Sequence, residues 1–560
     1  AANSSARLDG FKVTGATSHA IVNGNGSAIV LPTYANLWVV GNESGDSGAG
    51  VYNSPLSRPT FDDCRFESNT CDIDGGAMFS GYGAVTNITR CDFVSNTSVQ
   101  GGGAVKILGQ NIGAPSSANI IDCTFDGNES TSYWAGAIAA DQSTITIRRG
   151  DFRYNKSAVF GGAVYLKGCT TVLVGSDFLE NVSGQGGALY YIADNSGDYL
   201  YATNCTFTAN EAKDSSPSNA GGVATIGTAA FTFVNCLFSD NTATNNGAAL
   251  YIQINSTMQL INCTLANNRA VGDAGGLYVE SGATTTVTNS IFWNNTDTND
   301  YMAQTFVRDQ DAQIQGAGTI TTSYSCIDDG TIDGSHPFSV STNIDSDPYF
   351  ADPDGDDNTA GTSDDNFRLQ SSSDCLDAGQ NFPVPKDVQN VDEDNDTQEK
   401  TPDLDLAYRI TLSNSVSSST TVCSGTVDMG AYEYQCQGDT YGDMNDDSAK
   451  NGLDIQQFIE CLLASDPDCI CARGDFDTIS YGVTERDIPG FVHCLLTGDC
   501  DAASCTVLEA EARWARVGLP DCNGNGIPDP IDIDVCEGNP SRCDCNGNGI
   551  PDGCDLANET

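Results

Sequence analysis

The sequence predicts an all-β solenoid, a parallel β-helix, followed by a small calcium-binding C-terminal region made mostly of loops and short helices. Three observations support this prediction: a repeat that recurs about every 26 to 32 residues, the lack of an apolar stripe of helical period, and acidic loops near the C-terminus. Repeats of this length are typical of solenoids, in which each repeat buries its apolar face against the next. The absence of helical periodicity favours short strands over helices.

Nine consecutive copies of the repeat share a small residue, an aromatic residue or leucine two positions later, and an asparagine three positions after that. Several copies then continue into Gly-Gly-Ala and an aliphatic residue, and others keep part of this motif. If each copy is one coil, equivalent residues of neighbouring coils lie about 4.8 Å apart and form columns. The aromatic column then fills the core, and the asparagine column satisfies backbone groups at a turn. The copies are Cys64/Phe66/Asn69, Cys91/Phe93/Asn96, Cys123/Phe125/Asn128, Gly150/Phe152/Asn155, Ser176/Phe178/Asn181, Cys205/Phe207/Asn210, Cys236/Phe238/Asn241, Cys263/Leu265/Asn268 and Ser290/Phe292/Asn295.

Cysteine and glycine also occur at fixed positions of the repeat. We expect the cysteines that begin six of the copies to be small buried residues of a ladder, without disulfide bonds. The pair Gly161 and Gly162 predicts a second sharp corner, where positive φ or close backbone contact excludes a side chain. The Asn-x-Ser/Thr triplets at Asn96, Asn128 and Asn181 coincide with the asparagine column, so we do not interpret them as glycosylation sites.

An aromatic residue also follows the Gly-x-Ala-aliphatic motif in several coils. Aromatic rings in a row stack either on one another or on saccharide rings, and the pattern does not fix whether the column points into or out of the coil. We favour a structural stack over a sugar-binding face. The column consists of Tyr52, Phe79, Tyr165, Tyr190, Tyr251 and Tyr278.

Composition indicates the compartment and excludes two classes of partner. The formal net charge is -51, which opposes binding to nucleic acid or to an anionic lipid surface. No apolar run reaches the about 18 residues of a membrane span, and no signal peptide opens the chain, so we expect a soluble protein that is already processed if it is secreted. The 23 cysteines favour an oxidising, extracellular or cell-surface location. We expect disulfides among the cysteines from Cys423 onward.

Four segments follow from these patterns. Residues 1–300 form the regular β-helix, and residues 301–436 form irregular final coils and an acidic cap. Residues 437–505 contain two loop-helix units, and residues 506–560 contain the calcium loops.

The strongest chemical signal is a pair of loops in the last segment. Calcium takes about six to eight hard oxygens, and a loop of about 12 residues supplies side-chain oxygens at its first, third, fifth, ninth and twelfth positions and a backbone carbonyl at its seventh. Both loops have this pattern and a turn glycine, Gly526 or Gly549, at the sixth position. The predicted calcium ligands are Asp521, Asn523, Asn525, Ile527 (carbonyl), Asp529 and Asp532, and Asp544, Asn546, Asn548, Ile550 (carbonyl), Asp552 and Asp555.

A third loop with the same spacing precedes a helix-like segment at 455–463. Its predicted calcium ligands are Asp443, Asn445, Asp447, Asn451 and Asp454. The loop that should pair with it begins with Asp475 and Asp477, but Ile479 replaces an oxygen ligand and Asp487 comes one residue late. The two units resemble a type I dockerin over about 443–498, and the last two loops resemble thrombospondin type 3 calcium repeats. The dockerin resemblance implies a cohesin partner, which the altered second loop puts in doubt.

The solenoid resembles the polymorphic outer-membrane-protein class of right-handed parallel β-helix, because it shares the tetrapeptides Phe-x-x-Asn and Gly-Gly-Ala-aliphatic. This resemblance covers roughly 48–296 and implies the fold, while coils of this type serve adhesins, surface proteins and polysaccharide enzymes. Segments 347–357 and 427–434 are similar to the final coils and cap of large secreted bacterial β-helix proteins. Two alternating acidic runs there are further calcium candidates: Asp352, Asp354 and Asp356, and Asp392, Asp394 and Asp396.

Catalytic residues are less evident. The best carboxylate pair is Asp151 and Asp177, which share one position on adjacent coils, with Asp92 two coils earlier. Arg148, Arg149 and Lys167 are the nearby basic residues, and His19, His336 and His493 lie in three separate segments. The slot of Asp151 holds Arg65, Thr124, Thr206, Leu237, Thr264 and Ile291 in other coils, which indicates a variable, solvent-facing position. We therefore expect a protein that is not an enzyme.

The N-terminal residues suggest how the rod is used. Residues 6–14 already have the pattern of a coil strand, so we expect an uncapped first coil with an open edge. Such an edge favours head-to-tail stacking on another copy. The sequence thus favours a secreted, calcium-stabilised structural or surface protein that assembles into a filament or layer with itself as partner. The alternatives are an adhesin that binds polysaccharide or a cell surface, and a polysaccharide lyase or hydrolase carried by the dockerin-like module.

Overall fold

The computed structural model describes residues 6–24, 29–109, 115–213, 219–298, 310–328, 342–355, 357–362, 364–393, 397, 400–406 and 426–434. These residues belong to one compact unit, a solenoid in which the chain passes through four parallel sheets in each full coil. We number the sheets in the order in which a coil visits them. Every strand of these four sheets pairs in parallel with the equivalent strand one coil away.

Sheets 1 and 2 have 12 strands each. Sheet 1 contains Arg7–Asp9, Thr33–Ala35, Thr60–Asp62, Val85–Thr89, Ser116–Ile121, Ser143–Arg148, Thr170–Val174, Tyr199–Thr203, Ala230–Val234, Thr257–Ile261, Thr284–Thr288 and Thr319–Ser323. Sheet 2 contains Lys12–Thr14, Trp38–Val40, Arg65–Glu67, Asp92–Val94, Thr124–Asp126, Asp151–Arg153, Asp177–Leu179, Thr206–Thr208, Leu237–Ser239, Thr264–Ala266, Ile291–Trp293 and Cys326–Ile327.

Sheets 3 and 4 have nine and 11 strands in the described residues. Sheet 3 contains Glu43–Ser44, Thr70–Cys71, Thr97–Ser98, Glu129–Ser130, Lys156–Ser157, Val182–Ser183, Glu211–Ala212, Thr242–Ala243 and Arg269–Ala270. Sheet 4 contains Ile21–Asn23, Val51–Asn53, Met78–Ser80, Val105–Leu108, Ile138–Asp141, Val164–Lys167, Leu189–Ile192, Val223–Ile226, Leu250–Ile252, Leu277–Val279 and Ile314–Gln315. A short helix, Gln310–Gln313, precedes the last of these strands.

The predicted aromatic column is confirmed as the centre of the core. Phe66, Phe93, Phe125, Phe152 and Phe178 are fully buried, and neighbouring rings stack with centroids 4.7 or 4.8 Å apart. This separation equals the spacing of parallel strands, so each ring lies directly over the ring of the previous coil. The core therefore runs continuously along the rod.

The predicted asparagine column forms a hydrogen-bonded ladder at the turn between sheets 2 and 3. The amide oxygen of Asn181 accepts hydrogen bonds from the backbone N–H and the side-chain Nδ2 of Asn155, both at 3.0 Å. Nδ2 of Asn181 donates to the carbonyl oxygen of Phe152 at 2.8 Å and to Oδ1 of Asn210 at 2.9 Å. The ladder begins one coil earlier than the predicted copies, at Asn42, and ends on the side chain of Gln313.

The structure also shows the predicted reasons for the paired glycines at the second corner. Gly161 has a φ of +64°, in the left-handed region, and a Cβ on Gly162 would lie only 2.0 Å from the carbonyl oxygen of Gly187. Any larger residue would push neighbouring coils apart. The asparagines of the Asn-x-Ser/Thr triplets at 96, 128 and 181 are fully buried, as expected for ladder members rather than glycosylation sites.

The segment 301–436 differs in arrangement from a simple series of final coils. Its described residues add one coil, with strands Ile314–Gln315, Thr319–Ser323 and Cys326–Ile327. We call the described residues between 347 and 434 the flank segment, because they lie along the side of the rod. It contains one antiparallel strand pair, Phe350–Asp352 and Asn366–Leu369.

The flank segment docks on the corner between sheets 1 and 2. Four consecutive coils place an asparagine with left-handed φ at this corner: Asn204, Asn235, Asn262 and Asn289. Their side-chain Nδ2 groups donate to carbonyl oxygens of Pro402, Asp403, Asp428 and Gln380. Apolar contacts accompany these hydrogen bonds, because Leu237, Ala266, Phe367, Ala431 and Tyr432 form one buried cluster.

Candidate functional site

The three complete calcium loops fall outside the described residues. This applies to Asp443, Asn445, Asp447, Asn451, Asp454, Asp521, Asn523, Asn525, Ile527, Asp529, Asp532, Asp544, Asn546, Asn548, Ile550, Asp552 and Asp555. Calcium binding there stays a prediction from the sequence.

The acidic run at 352–356 lies partly within the flank segment. Asp352 ends a strand and Asp354 starts a turn in which the backbone N–H of Thr359 donates to its carbonyl oxygen, while Asp356 falls outside the described residues. Asp364, which the sequence argument did not single out, folds back over this turn and accepts from the backbone N–H of Asp357. Among the described residues, no group of three or more His, Cys, Asp or Glu side chains is arranged to hold a metal ion. Of the second run, Asp392 is described, whereas Asp394 and Asp396 are not.

The end of the rod formed by the first coil presents unpaired strand edges within the described residues. The strands Arg7–Asp9, Lys12–Thr14 and Ile21–Asn23 each pair on one side only, with the strands of the following coil. Leu8 and Val13 pack on the end of the core but stay partly exposed. Unpaired N–H and C=O groups of this kind can accept another strand.

Large apolar side chains are also exposed close to this end. Phe11 and Val22 are each 55% exposed and Trp38 is 40% exposed. Lys12 places its ammonium group 3.8 Å from the centre of the Trp38 ring, so the surface combines apolar and cationic groups. The combination of open backbone edges and exposed apolar side chains makes this end the best candidate interaction surface in the described part of the chain.

Asp151 and Asp177 are brought together as the sequence predicts, on paired positions of adjacent strands in sheet 2. One oxygen of Asp151 lies 3.0 Å from Nη2 of Arg153, and Asp177 accepts from Oγ1 of Thr206 at 2.6 Å. Loss of water around the two carboxyl groups raises the pKa of each. Their slot does not stay open along the rod, because the flank segment covers Leu237, Thr264 and Ile291 in the later coils. The expectation of a solvent-facing slot is therefore wrong for the later coils.

The other catalytic candidates have partners elsewhere. Arg149 forms ion pairs with Asp122 and Glu393, and Arg148 donates to Oε1 of Gln389 at 3.4 Å. Because Gln389 and Glu393 belong to the flank segment, both arginines contact that segment. Asp92 pairs with Arg65 at 3.4 Å. Lys167 lies on sheet 4. His19 lies within 3.2 Å of the Gly48 carbonyl oxygen, whereas His336 and His493 fall outside the described residues.

The aromatic column of sheet 4 points away from the interior of the coil. Val164 and Leu166 belong to the main core, whereas Tyr165 between them belongs to a separate buried cluster on the outer face. Tyr165 and Tyr190 are each only 4% exposed, and their rings are parallel with centroids 6.2 Å apart. Neighbouring side chains such as Trp134, Phe160 and Ile192 pack against the column. The favoured interpretation as a structural stack agrees with this burial, since the rings offer little surface to a saccharide.

One coil replaces the aromatic residue of this column with a buried lysine. Lys106 is 2% exposed, forms an ion pair with Asp141 and lies beneath the ring of Trp134 at 5.3 Å. Burial raises the pKa of the nearby Asp74, although Lys106 acts in the opposite direction. A charged residue at this depth requires such partners.

Comparison with known proteins supports the fold. Residues 191–347 match the family model described as right handed beta helix region. Neither the search of curated proteins nor the search of solved structures gave a match. Within the described residues, no helix has the length and apolar character needed to cross a membrane. The parallel sheets and the family match together identify the fold as a right-handed parallel β-helix.

Proposed function

We propose that this protein is a secreted structural or surface rod that is stabilised by calcium and assembles end to end through its first coil. The observation that carries the proposal is the nature of that coil. Three strand edges lack a second partner within the described residues, next to Phe11, Val22 and Trp38 on the surface. Burying exposed apolar surface and pairing backbone groups both favour association.

The geometry of the rod determines what such association produces. The strands of the four rod sheets are all parallel and stack in the same direction, so the two ends of the rod present different surfaces. A contact between unlike ends is heterologous, and it generates an open fibre when the rotation between copies does not close a ring. The stacks of phenylalanine and asparagine support a structural role, because they bond each coil to both of its neighbours.

The extracellular location rests on composition. A net charge of -51 suits a solvated surface in a calcium-rich medium, and 23 cysteines suit an oxidising compartment. Calcium at the tail loops would stabilise only their folded form, so its effect should follow mass action.

Electron microscopy of the purified full chain, in calcium and in EDTA, tests the assembly. We expect filaments in calcium at high protein concentration. The double variant Phe11→Glu/Val22→Glu places charges beside the open edges and should prevent end-to-end contact. The matched control is Tyr133→Glu/Tyr154→Glu, which changes two residues that are each 51% exposed and lie several coils away from the first.

Two results would contradict the proposal in different ways. Single rods in all conditions would reject assembly. Filaments of the same length from the first-coil variant and from the control would leave assembly intact but reject the first coil as the contact surface.

A second candidate function is supported by the paired carboxyl groups of Asp151 and Asp177. Their strands are neighbours, at a spacing of about 4.8 Å, and retaining glycosidases place two carboxyl groups about 5 to 5.5 Å apart. Raised pKa values at both positions suit one group that holds a proton. A glycan array detects polysaccharide binding, and assays on acidic polysaccharides detect cleavage. Cleavage that survives in Asp151→Asn/Asp177→Asn would exclude this pair as its cause.

A further inference from the structure

The cysteines of the repeat take part in backbone hydrogen bonding. Sγ of Cys123 accepts from the backbone N–H of Cys91 at 3.4 Å and lies 3.2 Å from the carbonyl oxygen of Ile121, which its thiol reaches as a donor. Ser176 makes the same contacts in its coil, accepting from the N–H of Gly150 and donating to the carbonyl of Val174, both at 3.1 Å. Cysteine and serine therefore have one structural role in this slot. In these coils the thiols and hydroxyls already have hydrogen-bond partners, so the ladder does not require disulfide bonds.

Cys326 does not belong to that ladder. In its coil the ladder slot is occupied by Ser325, whose hydroxyl accepts from the N–H of Ser290 at 3.2 Å. Cys326 is the next residue and pairs in register with Ile291, so it occupies the outward position of sheet 2. This is the slot that holds Asp151 and Asp177 in earlier coils. The thiol of Cys326 therefore points to the side of the rod on which the flank segment lies.

A second thiol meets Cys326 at this position. Cys375 belongs to the flank segment, and its side chain lies in the same buried cluster as that of Cys326. Both residues are fully buried, in one cluster with Ile291, Leu369 and Met429. The backbone holds Cys375 in place, because its N–H donates to Ser373 Oγ at 3.1 Å and its carbonyl accepts from Met429 N–H at 3.0 Å. Two buried cysteines that share one cluster, on segments 49 positions apart, meet the first requirement for a disulfide bond, which is proximity.

We propose that Cys326 and Cys375 form a disulfide bond in the mature protein, which fastens the flank segment to the last described coil. In forming the S–S bond, the two thiols lose two protons and two electrons. The electrons reduce the disulfide of a thiol–disulfide oxidoreductase to its dithiol, which is the normal route in an oxidising compartment. Contact with Cys375 and burial raise the pKa of Cys326, so its thiolate is scarce once the cluster has closed. The bond therefore forms while the flank segment docks, and a reductant reaches it when that segment opens.

Peptide mapping by mass spectrometry tests the proposal directly. The full chain is produced in an oxidising compartment, denatured with an alkylating reagent and digested without reductant. We expect one linked peptide pair containing Cys326 and Cys375, with a mass lower than the sum of its thiol forms by two hydrogens, while ladder cysteines such as Cys123 and Cys263 are alkylated. Alkylation of both Cys326 and Cys375, or a link from either to another cysteine, would overturn the proposal.

Proteolysis distinguishes a disulfide bond from simple packing of two unlinked cysteine side chains. Reductant and the single variants Cys326→Ser and Cys375→Ser should each raise the rate at which a protease cleaves the flank segment. Reductant should have no further effect on either variant, because the bond is already absent. The control Cys263→Ser should keep the full response to reductant. Cleavage rates in the unaltered protein that do not change with reductant would reject the bond.

Discussion

Replacing one ladder asparagine should destabilise the rod far more than replacing an asparagine on its surface. We choose Asn181→Ala, because Asn181 is fully buried and lies in the middle of the ladder. The change removes the acceptor of the Asn155 backbone N–H, at 3.0 Å, and the donor to the Phe152 carbonyl, at 2.8 Å. Asn155 Nδ2 loses one acceptor but keeps the carbonyl of Phe125.

The expected cost follows from these lost contacts. The backbone N–H of Asn155 is left without a partner, which costs about 1 to 3 kcal/mol, and the Phe152 carbonyl loses one of its donors, worth about 0.5 to 1.5 kcal/mol. The sum is a loss of about 1.5 to 4.5 kcal/mol in the free energy of unfolding of the affected coils. The control Asn119→Ala lies on the outer face of sheet 1, between the core residues Ala118 and Ile120, and should cost less than about 0.5 kcal/mol.

Hydrogen exchange and urea unfolding measure this difference. Faster exchange should centre on residues 150–183 and decline over neighbouring coils, because coils of a solenoid contact mainly their neighbours. Equal exchange and equal urea midpoints for Asn181→Ala and Asn119→Ala would refute the idea that the ladder carries stability.

Two further predictions concern calcium and pH. Chelation with EDTA should make residues 437–560 sensitive to protease while the rod persists, and calcium should restore resistance; a tail that is equally resistant in excess EDTA would contradict calcium binding there. Burial and Asp365 raise the pKa of Asp240 to about 8, so the folded protein keeps a proton that the unfolded chain releases near pH 4. The stability contributed by this proton is complete below about pH 4 and is lost as the pH rises through about 8. Cleavage of the flank segment at 361–369 should accordingly increase between about pH 5 and about pH 9, and Asp240→Asn should reduce that increase; the same pH response in both proteins would exclude Asp240 as its source.

The coil could be predicted from sequence because each column repeats one physical requirement. A phenylalanine at every core position and an asparagine at every turn leave a signal that nine copies make unmistakable. The coils extend beyond those copies, from the strand at Arg7–Asp9 to the strand at Cys326–Ile327. Backbone pairing needs no particular side chain, so a coil can persist where the motif has disappeared.

The position of the flank segment was not predicted, although the rod carries two traces of it. Leu237 and Ile291 are apolar at an outward slot that holds Asp151 and Asp177 in earlier coils. The corner between sheets 1 and 2 holds Arg149 and Gly175 in two successive coils and then asparagine in four, and those asparagines bond to the flank segment. Each trace is a departure from the repeat, and its meaning depends on a partner that is distant in sequence. The calcium loops differ in this respect. Their candidate ligands are close together in the chain, so they can be proposed from the sequence without knowledge of the tertiary structure.

The flank segment joins coils of the rod that do not contact one another directly. Asn204, Asn235, Asn262 and Asn289 belong to four successive coils, and each donates to a backbone carbonyl between Gln380 and Asp428. Coils of a solenoid otherwise contact mainly their neighbours. Because one stretch of chain bonds to all four, we expect these coils to open together rather than one at a time.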